Sequence, residues 1–389
     1  MGIFQAMGGD ELTAADRDLL AEFRAGKRTA LARVITRVEN ARPGFQAILS
    51  ELHASLGRAQ RIGITGPPGA GKSTLVAALV SVYRERGETV AVVAVDPTSP
   101  FTGGALLGDR IRMSEVSLDT GVFIRSMASR GSLGGLAVTT KEVADVLDAF
   151  GFDRILIETV GVGQSELDIA AAADSTVVVL VPESGDSVQA MKAGLMEISD
   201  LFVVNKADRP GSERLAREIE MALRLRSGGQ GMRVPAHHGV DLARVGRARA
   251  EDPAARARMS DAAARTEGDE RDPRPVPDAR AGGAEPPAEP RPWSIPVLRT
   301  VAESGEGVPE LVGALDAHMA WLSGSGELGR RRRARLAERV REVVLRTLKE
   351  WVWLDRGGEA VLEEALPALE AGRETPYELA ARIVRAATG

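Results

Sequence analysis

The fold of this chain is decided by the stretch Gly66-Pro-Pro-Gly-Ala-Gly-Lys72-Ser73. It matches the spacing G-x-x-x-x-G-K-[ST], follows a β-branched run and leads into an apolar helical pattern. The glycines let successive backbone N–H groups point into one concavity, and the start of the following helix adds its dipole. Lys72 should reach the β- and γ-phosphates of a nucleotide, and the Ser73 hydroxyl should bind Mg²⁺. The predicted phosphate contacts are Gly69, Ala70, Gly71, Lys72, Ser73 and Thr74.

Outward from this loop, short β-branched runs alternate with helical patterns. Nearly continuous apolar runs are typical of parallel strands buried on both faces, and the alternation indicates right-handed crossovers. We therefore predict an α/β fold with a doubly wound, mostly parallel sheet, whose ligands bind at the carboxyl ends of the strands. The runs predicted as strands are 61–65, 90–95, 154–157, 176–181, 201–204 and 296–299.

Composition excludes several classes of function. The 389 residues include no cysteine, which rules out disulfides, thiolate zinc sites, iron–sulfur clusters and a cysteine nucleophile. A net charge of −5 does not favour general binding to nucleic acid. No apolar run approaches the ~18 residues of a membrane span, and the first ten residues lack the order of a secretory signal. We expect a cytoplasmic protein.

Helical periodicity and composition divide the chain. Residues 1–60 are predicted to form an N-terminal helical extension, 61–322 the nucleotide-binding domain, and 323–389 a C-terminal helical segment. Residues 228–292 are interpreted as a mostly disordered insert, because seven of the 20 prolines fall within 265–292. The basic run Arg330–Arg333 is interpreted as a solvated helix start.

The identity of the nucleotide base is indicated by the segment Asn205-Lys206-Ala207-Asp208, which directly follows a predicted strand. The Asp208 carboxylate can accept two hydrogen bonds, from N1 and N2 of guanine, and adenine offers no such pair of donors. Asn205 can tie this segment to the phosphate loop, and the stem of Lys206 can lie along the base. Thr300, Val301 and Ala302, after the last predicted strand, are placed to cover the edge of the base. The pattern favours GTP.

Three acidic residues near predicted strand ends are candidates for the magnesium site. They are Asp96, Asp109 and Glu158. Each could instead be an ordinary loop or helix cap, since Asp and Glu are common there. The backbone N–H of Gly161 is placed to sense a γ-phosphate.

Hydrolysis is expected to be slow. Small GTPases commonly carry a glutamine directly after the glycine that corresponds to Gly161, and this glutamine orients the attacking water. Here that position is Val162, and Gln164 lies two residues further along. We therefore expect a partner to complete or reshape the site.

Taken in order, these motifs resemble the methylmalonyl-CoA mutase-associated GTPases, the MeaB/ArgK type within the SIMIBI class of P-loop GTPases. The resemblance covers nearly the whole chain outside the insert, where the family has a much shorter connection. The segments that carry it are Gly66–Thr74, Asp96–Pro100, Gly108–Met113, Arg125–Gly131, Gly134–Ala137, Glu158–Ser165, Asn205–Asp208 and Gly305–Gly307.

The resemblance implies a GTPase that acts as chaperone for an adenosylcobalamin-dependent acyl-CoA mutase, with adenosylcobalamin present only through that partner. The client would be methylmalonyl-CoA mutase or a related isobutyryl-type mutase, and the GTPase would gate cofactor loading and protect or reactivate the mutase. GTP or GDP and Mg²⁺ would be bound, with Lys72, Glu158 and Gly161 as catalytic residues. Segment 182–192, with Gln189 and Lys192, would relay nucleotide state to the mutase. The helices after about residue 323 would form a homodimerisation arm.

Two other readings remain open. A nickel-delivery metallochaperone GTPase shares this fold class, but normally carries a Cys or His cluster. A P-loop kinase linked to amino-acid transport would need an acceptor-hydroxyl site with a general base, for which the sequence shows no motif.

Overall fold

The computed structural model describes residues 12–97, 118–129, 138–159, 165–182, 194–227 and 292–388. The chain divides into two compact units, Met1–Leu223 with Arg291–Gly389, and Arg224–Pro290. Of the second unit, only the end of one helix belongs to the described residues. The predicted insert at 228–292 lies outside them except for its last residue.

The first unit is built around a parallel sheet of seven strands in the order β3-β2-β4-β1-β5-β6-β7. The predicted α/β fold class is confirmed. Every residue of β5 and of β6 is buried, as expected for strands covered on both faces. The strands are β1 (Gln60–Thr65), β2 (Val90–Pro97), β3 (Val122–Ser129), β4 (Arg154–Thr159), β5 (Ser175–Leu180), β6 (Leu201–Asn205) and β7 (Val297–Thr300).

Strand β3 was not predicted from the pattern of apolar residues. It pairs only with β2 and forms one edge of the sheet. Its middle residues, 123–126, are only partly buried, and Arg125 forms an ion pair with Glu39 of the N-terminal extension. A half-exposed edge strand that contains an arginine has no continuous apolar run to reveal it.

Strand order determines where a ligand can bind. Strands β2, β3 and β4 lie to one side of β1 in the strand order, and β5, β6 and β7 lie to the other, so the order reverses at β1. The loop after β1 therefore opens into the crevice at the switch point. Gly66 enters this loop at φ +139°, and a Cβ there would lie 2.1 Å from the carbonyl oxygen of Val179 in β5. Only glycine allows the loop to leave the sheet so close to its neighbour.

Helices cover both faces of the sheet. One core layer contains Leu75, Leu79 and Leu311 from the helices after β1 and β7. The opposite layer includes Leu31 and Val34 of the N-terminal extension. The helices are α1 (Ala14–Arg24), α2 (Arg28–Glu39), α3 (Phe45–Leu52), α4 (Lys72–Glu85), α5 (Val138–Phe150), α6 (Ser165–Ala172), α7 (Leu195–Ile198), α8 (Ser212–Ser227), α9 (Val308–Gly324), α10 (Glu327–Glu350), α11 (Gly358–Glu370) and α12 (Pro376–Thr388). None of the helices in the described part of the chain is both long and apolar enough to cross a membrane.

The basic run at the start of α10 is not simply a solvated helix start, which corrects the interpretation from sequence. Arg331 lies 2.9 Å from the carboxylate of Asp200, and Arg332 lies 3.0 Å from that of Asp174. Arg335, one turn further along, contacts Asp174 at 2.5 Å. Burial alone would raise the pKa of Asp174, but the charges of Arg335 and Arg332 outweigh it and hold that pKa below its ordinary value. These arginines attach α10 to the amino ends of β5 and β6, because a buried carboxylate without them would be costly.

Candidate nucleotide-binding site

The loop between β1 and α4 has the backbone shape that a phosphate cradle requires. Gly69 and Gly71 take left-handed φ values of +76° and +84°, which L side chains adopt only with strain. Gly71 is the N-cap of α4, whose 14 residues follow directly. The helix N-terminus, with its unpaired N–H groups and positive dipole end, is therefore part of the loop.

Two side chains at the start of α4 lie buried in this loop. The Lys72 ammonium donates hydrogen bonds to the carbonyl oxygens of Gly66 and Pro67, at 2.8 and 2.9 Å. These bonds hold its charge inside the turn. The Ser73 hydroxyl donates to Glu158 Oε1 at 2.6 Å. Thr74, by contrast, is exposed.

The donor set fits Mg²⁺. A hydroxyl and a carboxylate, both buried and 2.6 Å apart beside the phosphate loop, are the hard oxygen ligands that this ion takes in P-loop proteins. Asp96 lies in β2 next to β4, one residue beyond the pair Val95↔Thr159. Its backbone is therefore at the same edge as Glu158. Asp109 lies outside the described residues.

Asn205, the last residue of β6, joins three segments. Its Nδ2 donates to the carbonyl oxygen of Ala70 in the phosphate loop at 2.9 Å. Its Oδ1 accepts from the Thr300 hydroxyl and from the Ala302 backbone N–H, each at 3.1 Å. Asn205 therefore connects the end of β6 to the phosphate loop, as predicted from its position in the sequence. The sequence places Thr300 beside the base together with Val301 and Ala302, but it gives no sign that the Thr300 hydroxyl bonds to Asn205.

The neighbouring residues complete a shelf beside the phosphate loop. The Lys206 ammonium donates to the carbonyl oxygen of Gly69 at 2.9 Å, and its backbone takes a left-handed φ of +55°. Asp208 is exposed, whereas Ala302 is buried and Val301 half-buried. An exposed carboxylate beside this tied loop is accessible to the edge of a bound base.

Several predicted site residues lie outside the described residues. These are Asp109, Gly161, Gln189 and Lys192, together with Val162 and Gln164.

A groove of about 860 Å³ lies at the opposite edge of the sheet. Its walls include Arg61 and Asp200 at the amino ends of β1 and β6, and Arg335 of α10. Arg61 is paired with Asp148 at 2.9 Å. Because ligands of doubly wound sheets bind at the carboxyl ends of strands, the groove is separate from the nucleotide site.

Ser175, His318 and Asp200 have the composition of a hydrolytic triad, but their environment excludes that role. The Ser175 hydroxyl lies 2.8 Å from His318 Nδ1, and His318 Nε2 lies 3.4 Å from the Asp200 carboxylate. Ser175 and His318 are both completely buried, so no substrate carbonyl can reach the hydroxyl. Burial also lowers the pKa of His318. The three residues form a structural contact between β5 and α9.

Two glycines of the loop allow a matched test of this geometry. A Cβ at Gly71 would lie 2.4 Å from Asn205 Nδ2, whereas a Cβ at Gly69 would meet no heavy atom within 4 Å. Both substitutions to alanine carry the left-handed strain of about 1–2 kcal/mol, but only Gly71→Ala must also displace Asn205. We expect the Tm of the nucleotide-free protein to fall at least ~2 °C further for Gly71→Ala than for Gly69→Ala. Equal decreases would contradict the contact between the loops.

Comparison with known proteins agrees with this arrangement. A family model described as methylmalonyl-CoA mutase-associated GTPase MeaB matches residues 31–356. A protein of Pyrococcus horikoshii with a GTPase designation is 41% identical over 327 residues, which are 84% of this chain and 85% of that protein. The GTPase ArgK of Escherichia coli is 41% identical over 203 residues, 51% of this chain and 61% of its own length.

Two further similarities are limited, one by the share of the chain that it covers and the other by its sequence identity. The mitochondrial methylmalonic aciduria type A homologue of Mus musculus is 41% identical over 218 residues, 51% of this chain and 52% of its own length. A crystal structure described as LAO/AO transport system kinase covers 96% of this chain and 98% of its own, with a TM-score of 0.59 and 23% identity. At that identity the likeness shows the fold alone.

Proposed function

The chain belongs to the methylmalonyl-CoA mutase-associated GTPase family, and we propose that it uses GTP binding and hydrolysis to serve as chaperone for an adenosylcobalamin-dependent acyl-CoA mutase. Its activity as a GTPase follows from the family and from relatives designated as GTPases. The client mutase, the gating of cofactor loading and the protection or reactivation of that mutase are the proposal. The observation that carries it is the family match over residues 31–356, which include the phosphate loop and the guanine-reading segment.

Binding of the nucleotide is assigned to this chain's own groups. The backbone N–H groups of residues 69–74 and the Lys72 ammonium bind the phosphates. Asp208 accepts hydrogen bonds from guanine, while Asn205 keeps that segment in register with the phosphate loop. Mg²⁺, held by Ser73 and Glu158 with Asp96 and Asp109 as further candidates, would neutralise charge that develops on the phosphates.

The route from nucleotide to mutase is assigned to the segment after β5. Strand β5 lies between β1 and β6, so its carboxyl end emerges between the phosphate loop and the guanine-reading segment. Segment 182–192 follows this end in the sequence. We assign the relay to Gln189 and Lys192 of this segment, as the family resemblance implies.

The C-terminal helices are proposed to form a homodimer. Leu336, Val340, Val344 and Leu348 recur every four residues along α10, and each has an exposed fraction of 47% or more. The helix has no buried residue of its own. An apolar stripe of this length on a helix that is otherwise rich in charge is typical of a protein interface. With this stripe, 323–389 acts as the dimerisation arm and 1–60 as the helical extension of the GTPase domain.

Introducing charge into this stripe should separate the dimer. We expect the double substitution Val340→Glu and Val344→Glu to convert a dimer into a monomer of 41.2 kDa, measured by light scattering after gel filtration. Burying two carboxylates in an apolar contact costs several kcal/mol. Lys349→Glu, an exposed position on another side of α10, is the control and should remain dimeric. A dimer that persists in the double variant would place the interface elsewhere.

Hydrolysis should depend on the partner. Valine at position 162 cannot orient a water molecule, so we expect slow single-turnover hydrolysis of GTP that accelerates at least about tenfold when methylmalonyl-CoA mutase is added. Serum albumin serves as the control protein. Equal rates with and without the mutase would contradict the proposal for this client, and co-purification from the native cell would then identify another mutase.

The competing functions have less support. Metallochaperone GTPases normally carry a Cys or His cluster, and a chain without cysteine disfavours that reading. A kinase would transfer the terminal phosphate of GTP to a protein or small molecule. With γ-labelled GTP, release of label as inorganic phosphate supports the GTPase, and its transfer to an acceptor would favour the kinase.

A further inference from the structure

A hydrogen bond between two threonines cross-links the strands that lead to the phosphate loop and to Glu158. The hydroxyl of Thr159 donates to that of Thr65 at 3.1 Å. Both side chains are completely buried. Thr65 ends β1 directly before Gly66, and Thr159 ends β4 directly after Glu158.

The two strands are already paired up to this point. Their parallel register runs as far as the pair Ile64↔Glu158, so the threonines are the next residues on each strand. Because side chains alternate across a strand, Thr159 points to the face opposite Glu158. The hydroxyl pair therefore holds the two strand ends from one face, while Glu158 and Ser73 meet on the other.

The residues that share a strand face with the two threonines are glycine or apolar. Thr65 shares its face of β1 with Gly63, whose missing Cβ would lie 2.8 Å from the side chain of Ile169 in α6. Thr159 shares its face of β4 with the buried Ile157. Valine has nearly the same shape as threonine and would fill this apolar layer, and a pair of buried hydroxyls adds little net stability. The bond instead restrains how far the end of β4 can slide along the end of β1.

We infer that Thr65 and Thr159 are positioning residues for the magnesium carboxylate, keeping Glu158 within reach of Ser73. The 2.6 Å contact between Ser73 and Glu158 spans α4 and β4. The phosphate loop follows β1, whereas Glu158 lies in β4. A small relative shift of the two strand ends would therefore separate the Ser73 hydroxyl from the Glu158 carboxylate. This inference rests on the proposed nucleotide site, but not on the mutase as client.

The test is a double-mutant cycle with Mn²⁺ as a paramagnetic probe of the GDP complex. The variants are Thr65→Val, Thr159→Val, the double variant and Thr159→Ser. Each single valine leaves one buried hydroxyl without its partner and should lower the Tm, whereas the double variant removes both hydroxyls and should recover most of it. Mn²⁺ affinity, measured by electron paramagnetic resonance, should be about tenfold weaker in both single variants and in the double variant. Thr159→Ser keeps the hydroxyl and should bind Mn²⁺ as the wild type does.

Different results overturn different claims. If the double variant recovers Mn²⁺ affinity together with Tm, the pair is merely structural and the inference is wrong. If the wild-type GDP complex takes up no Mn²⁺, both the inference and the proposed metal site fail. Thr176→Val, a buried threonine at the amino end of β5, is the matched control. A loss of Mn²⁺ affinity there equal to that of the double variant would also overturn the inference.

Discussion

Replacing Lys72 by alanine is expected to weaken GTP binding at least 100-fold. The Lys72 ammonium is buried and bonded to the carbonyl oxygens of Gly66 and Pro67. It is therefore already held where it can meet the phosphates. Each charge-assisted hydrogen bond contributes about 1.5–3 kcal/mol, so the loss of two such bonds to phosphate oxygens corresponds to roughly two to four powers of ten in Kd.

The measurement is calorimetric titration with GTP and with GDP. We expect Lys72→Ala to remain folded, because the strands and helices of the core do not depend on the loop. Lys72→Met retains most of the length of the side chain and separates the loss of charge from the loss of volume, and it should bind as weakly as Lys72→Ala. Lys27→Ala, at an exposed position of the N-terminal extension, should bind normally. Wild-type affinity in Lys72→Ala would mean that the phosphates bind elsewhere.

The second large effect is expected at the base. Asp208→Asn should weaken GTP binding about 100-fold and increase the affinity for XTP. A carboxylate accepts the two hydrogen bonds that N1 and N2 of guanine donate. An amide can accept only one of them, and its NH₂ group then faces the N2 donor. Xanthine carries an oxygen in place of N2, so the same amide becomes complementary to it.

This substitution should leave the fold intact. Asp208 is exposed, whereas the neighbouring Asn205 carries the buried bonds that hold the segment. Competition binding with GTP, XTP and ATP measures the selectivity, and Asp18→Asn, an exposed carboxylate of α1, is the charge-matched control. Unchanged preference for GTP in Asp208→Asn would remove Asp208 from the base-reading role.

Much of the fold could be predicted because its signals are local. The central strands are continuous apolar runs, and strands such as β5 are buried on both faces. The glycines of the phosphate loop take left-handed φ values that few other residues allow. Strand β3 could not be predicted in this way, because it lies at the edge and its character depends on a partner, Glu39, that is distant in the chain.

Residue types and their spacing were enough to indicate a doubly wound sheet, a phosphate loop and a preference for guanine, since each depends on neighbours in the chain and on elementary hydrogen-bonding chemistry. Tertiary structure alone decided that arginines of α10 neutralise Asp174 and Asp200, that Thr300 supports Asn205, and that Thr65 meets Thr159. The physical reason is that whether a polar group is costly or useful depends on what lies opposite it once it is buried. Those partners come from segments between 94 and 161 residues away.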